Sequence, residues 1–82
     1  MLSFNAFNQL QKHTQVTLVL MQGTYLAKRF DDKGNRFILY YMGSFFAEVY
    51  YEETVSYAHR CHTFISTAPL EVYLTGIHLP IL

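Results

Sequence analysis

His59, Arg60, Cys61 and His62 form the densest run of chemically capable side chains in this sequence. A metal ion would need His59 and His62 on one face, which their i, i+3 spacing gives on a helix. On a strand they point to opposite sides, and His59 shares a side with Cys61 instead. Either conformation supplies two local ligands, whereas structural zinc takes four and catalytic zinc usually three. His13 and His78 sit in no recognisable partner motif. No metal and no cofactor is therefore expected. Cys61 would act as a nucleophile only with a base in reach and a positive field to lower its pKa. A lone cysteine on a strand is more often a small buried hydrophobe, and no catalytic residue is assigned.

A second constellation depends on how the chain folds back. If residues 52–55 connect two antiparallel strands, Glu48 lands opposite or diagonal to Arg60, with Tyr50 near Ala58. Glu48, Tyr50, Arg60 and His62 then share one sheet face with Phe46 and make a candidate binding patch for a small ligand. The plainer reading is a solvated cross-strand ion pair worth about 0.2–1 kcal/mol. Lys28, Arg29, Lys33 and Arg36 gather around one turn, among Tyr25, Phe30, Phe37, Tyr40 and Tyr41. Aromatics flanked by basic groups on a sheet can stack single-stranded bases. Asp31 and Asp32 offset that charge, and a solvated hairpin tip explains the cluster as well. The sequence contains no Gly-rich phosphate loop, dinucleotide fingerprint or nucleophile elbow.

These residues must be positioned by short elements, because Gly23, Gly34, Gly43, Gly76, Pro69 and Pro80 punctuate the chain. Ser3 can cap a short helix with Phe4, Phe7 and Leu10 near one face. Residues 11–22 have strand propensity at Thr14, Val16, Thr17 and Val19, but Leu18 to Met21 are consecutively apolar and break the alternation of a half-buried strand. A helix stopped by Gly23 at the C′ position is the preferred reading. A hairpin follows, turning at Asp31-Asp32-Lys33-Gly34-Asn35 and returning over 36–42. Gly43-Ser44 makes a second tight turn into a strand over 45–51. Residues 56–65 read as a fourth strand, with a helix as the alternative. Ser66 or Thr67 then caps a short helix carrying Leu70, Tyr73, Leu74 and Ile77. The expected fold is α+β: a four-stranded antiparallel meander with N-terminal helices and a short C-terminal helix, in one domain over 1–82.

The stretches GTYLAKR, FILYYMGSFFAEVYYEE and FISTAPLEVYL resemble a group of small uncharacterised bacterial α+β proteins of similar length. The resemblance spans Gly23 to Leu74 and implies this topology, with no activity attached.

Composition bounds the function. Of the 82 residues, 51% are hydrophobic and 17% aromatic, and 15% are charged, against about 25% in an ordinary domain. So few charges leave apolar surface facing outward, and self-association accounts for it most simply. Six basic residues balance six acidic ones, which argues against nucleic acid as a default partner. The single cysteine forms no internal disulfide, and no basic-then-apolar leader or bilayer-length apolar run occurs, so cytoplasmic residence is expected and membrane association is not. The favoured function is a non-enzymatic interaction module, dimeric through an aromatic sheet face. Tyr40, Tyr41, Phe45, Phe46 and Tyr51 are its candidate interface.

Overall fold

In the computed structural model the described residues are 2–54, 60–66, 70 and 73. Two helices, α1 (Phe4–Asn8) and α2 (Lys12–Gln22), precede four strands: β1 (Thr24–Phe30), β2 (Arg36–Tyr41), β3 (Phe46–Tyr51) and β4 (Arg60–Phe64). The strands form one antiparallel sheet in the order β1-β2-β3-β4, the expected meander.

Ser3 caps α1 by accepting the Ala6 amide at 3.2 Å. Residues 12–22 are helical despite their β-branched content, because a helix can bury Val16 and Val19 together on the sheet. Gly23 ends α2 for a different reason from the one its type suggests. Its φ of −75° is extended, not left-handed. An added Cβ would stand 2.6 Å from the Val19 carbonyl oxygen and 3.0 Å from Met42 Sδ and Tyr40 Cβ. The position requires glycine because helix, strand and turn converge there. Gly34 and Gly43 do have positive φ, 85° and 96°, and serve the two tight turns.

The turn between β1 and β2 is organised by Asp31. Its carboxylate accepts the Lys33 amide at 2.8 Å, the Asn35 amide at 3.0 Å and the Asn35 side-chain amide at 2.9 Å. The Asn35 oxygen accepts the Glu53 amide at 3.0 Å and ties this turn to the segment leaving β3.

Hydrophobic clusters lie on both sides of the sheet. Phe7, Val16, Val19, Met42, Phe45, Ala47 and Val49 fill the space under the helices, which lie chiefly over β3 and β4. Ala27, Leu39, Phe46 and Phe64 form the other cluster, covered by Leu70 and Tyr73. Of the expected C-terminal helix only Leu70 and Tyr73 are described, and no helix is delimited there. The first part of the expected fourth strand, 56–59, lies outside the described residues. Among the described residues no helix is long and apolar enough to cross a membrane.

Candidate functional site

Alternation along the strands sorts the side chains onto two faces. Arg29, Phe37, Tyr50 and Arg60 face one another in register across all four strands, on the side away from the helices. The Arg29 guanidinium stacks on Phe37 at 4.0 Å, the Phe37 and Tyr50 rings are 5.0 Å apart, and Arg60 lies 5.0 Å over Tyr50. The next row holds Leu39, Glu48 and His62. Glu48, Tyr50, Arg60 and His62 therefore share a face. Glu48 stands opposite His62 and diagonal to Arg60, and Tyr50 faces Arg60 instead of Ala58.

Within that patch Glu48 is already engaged. Its Oε2 pairs with Arg29 at 3.5 Å and accepts the Tyr73 hydroxyl. Burial, and then the bond to Glu48, push the Tyr73 hydroxyl far above the usual phenol range. The carboxylate thus holds the Tyr73 side chain against the sheet. Arg60 and His62 are the exposed members of the patch, on the last strand.

The expected interface residues do not share a surface. Phe45 and Phe46 are buried, Phe45 under the helices and Phe46 in the opposite cluster. Tyr40 and Tyr51 pack at the margin of the helix-side cluster, while Tyr41 lies on the other side beside Phe46. The correction follows from register: consecutive aromatics such as Tyr40-Tyr41 and Phe45-Phe46 are split between faces by the pleat. Of the expected set Tyr41 is exposed, on the side away from the helices, and the more exposed aromatics are Tyr25 and Phe30 of β1, 55% and 59% accessible. Both lie on the helix side, where the helices do not extend fully over β1 and β2, and Ile38 and Tyr40 complete that half-face. Tyr25 contacts Tyr40 edge-on at 6.3 Å. Composition counted these aromatics, but Tyr25 joins Phe30 on the same side only through a bulge between Tyr25 and Ala27 that no residue type announces.

The basic residues near the first turn are likewise divided. Lys28 and Arg36 lie on the helix side, Arg29 on the other, and Lys33 in the turn. Arg36 stacks on Tyr51 at 4.4 Å, so several ring faces that could receive a base already carry a guanidinium.

Cys61 points to the helix side, opposite to its neighbour His62. Its thiol donates to the Gln15 side-chain oxygen at 3.6 Å, and the Gln15 amide donates to the Phe7 carbonyl at 3.0 Å. Burial pushes the thiol up to about 11. That makes Cys61 a poor nucleophile at neutral pH. His59 and His78 lie outside the described residues, among which no three His, Cys, Asp or Glu side chains are grouped as metal ligands would be. No family model, curated protein or solved structure matches the chain.

Proposed function

We propose that the protein is a non-enzymatic interaction module that self-associates through the uncovered half of the helix-side sheet face. The supporting observation is that half-face itself: Tyr25 and Phe30 stand exposed beside Ile38 and Tyr40, where the helices do not extend fully over β1 and β2. Tyrosine suits such a surface because its ring buries area while its hydroxyl stays hydrogen-bonded. Met21, in the last turn of α2 and 75% exposed, adds apolar surface next to β1 in the chain. This half-face, whose aromatic and aliphatic side chains surround Lys28, can meet its copy about a twofold axis. Sedimentation equilibrium of the wild-type chain should give a mass above that of the monomer at micromolar concentration. Changing Tyr25→Lys and Phe30→Lys together should weaken assembly at least about a hundredfold, since two exposed aromatic anchors are lost and like charges replace them. Unchanged assembly in that variant, with the fold intact by circular dichroism, would refute this surface.

A further inference from the structure

On the reading that the half-face self-associates, we propose that it closes on its copy by taking up a small phosphate-class oxyanion, held by Lys28 and Arg36 of both chains. Lys28 is exposed on β1 between Tyr25 and Phe30, opposite Ile38, and its Nζ lies 5.9 Å over the Phe30 ring. Arg36 stands diagonal to it on β2 and stacks on Tyr51. Among the described residues neither cation has a carboxylate within ion-pair distance, and Arg36 Nε is buried without an acceptor.

The acidic residues are sorted away from this face. Residues 1–30, which include both helices and β1, contain no Asp or Glu. The described helix-side positions of β2, β3 and β4 carry none either. Glu48 lies on the opposite face, Asp31 is held in its turn by Lys33 and Asn35, and Asp32, Glu52 and Glu53 follow the ends of β1 and β3. Two copies of the half-face therefore meet cation to cation. Charges withdrawn from water without a partner are strongly disfavoured, so closure requires negative charge that neither described face contains. A divalent tetrahedral oxyanion supplies it, with several acceptor oxygens that ammonium and guanidinium groups share across the twofold axis. Tyr25, Tyr40 and Tyr51, on the same side, add hydroxyl donors. The anion must be small, because a polymer lying on the face would keep the second copy away.

Sedimentation equilibrium in inorganic phosphate and in chloride, at equal pH and ionic strength, tests the site. Phosphate should lower the wild-type dissociation constant about tenfold or more, as uptake of a ligand by the assembled state alone requires. Lys28→Met removes an ammonium from each copy. That chain should assemble more tightly in chloride than the wild type does, and should lose the dependence on phosphate. Equal tightening of both chains by phosphate would be general salting-out and would overturn the site. Wild-type assembly of equal strength in the two anions would overturn it too, while leaving the half-face standing. If the wild type and Lys28→Met are both monomeric in both anions, the half-face reading itself fails. A single-stranded oligonucleotide that binds the monomer and blocks assembly would show polyanion recognition and reject the enclosed anion.

Discussion

At the scale of single residues, Glu48 carries the largest consequence. It balances Arg29, whose side chain is 28% exposed, and receives the Tyr73 hydroxyl, both on a surface otherwise lined by Leu39 and Phe46. Glu48→Ala would leave a half-buried guanidinium and a buried phenol without their acceptor. Urea denaturation should show a loss of about 2 kcal/mol, less than for a fully buried pair because Arg29 remains partly solvated. Glu48→Gln, which keeps an acceptor, should lose about half as much. Cys61 supplies a prediction of opposite character. With its thiol raised from 9.0 to about 11, the folded chain at pH 8 holds far less thiolate than the unfolded one. Reaction with a disulfide reagent should be about a hundredfold slower in buffer than in urea, before steric shielding is counted. The sign of the pH dependence follows from the direction of shift. Cys61 and Tyr73 both bind their protons more tightly when folded: the contribution of Cys61 is complete below pH 9 and declines as pH rises from 9 through 11, whereas that of Tyr73 starts to decline only above pH 10.0 and continues to fall beyond it.

At the scale of elements, β1, β2 and β3 were legible because turns with their own chemistry separate them, whereas residues 56–65 read as strand or helix. Asp31 to Asn35 announces the first hairpin, and Gly43, at φ 96°, the second. The helical state of residues 12–22 was readable from failed alternation at Leu18 to Met21, but the role of Gly23 was not. That glycine answers to Met42 and Tyr40, remote in sequence, and no local pattern reports such a convergence. Gly23→Ala should therefore cost about 2–3 kcal/mol in thermal or chemical unfolding although its φ suits alanine, because the Val19 carbonyl cannot move aside cheaply. The buried Gln15, linking α1 to β4 through Phe7 and Cys61, was equally invisible, since a lone glutamine in a helix gives no sign of its side. That Glu48 shares a side with Tyr50, and Arg60 with His62, was legible from period-two alternation; that the two pairs share one face follows from the register of β3 with β4. The candidate interface was misplaced for the same reason, as adjacent aromatics cannot share a pleated face.

For the whole molecule, a balanced charge count conceals an uneven arrangement. Lys28 and Arg36 border the uncovered half-face, while the acidic Asp31 and Glu48 are held by Asn35 and by Arg29 with Tyr73. Copies meeting through that half-face bring like charges toward each other at its rim. Raising salt should therefore tighten assembly through this surface, and sedimentation at low and high ionic strength checks it; weakening by salt would point to a charge-paired contact instead.

The sequential strand order has a kinetic consequence. Each strand pairs with the one made immediately before it, so the sheet can zip forward as the chain emerges, with little loop entropy to overcome for a β structure. The bulged, lysine-bearing edge is finished first and waits longest beside other nascent chains. β4 is completed last, with Leu70 and Tyr73 following close behind to close the far cluster. The last edge is thereby exposed only on a nearly complete fold, which shortens the time in which it can pair with other nascent chains.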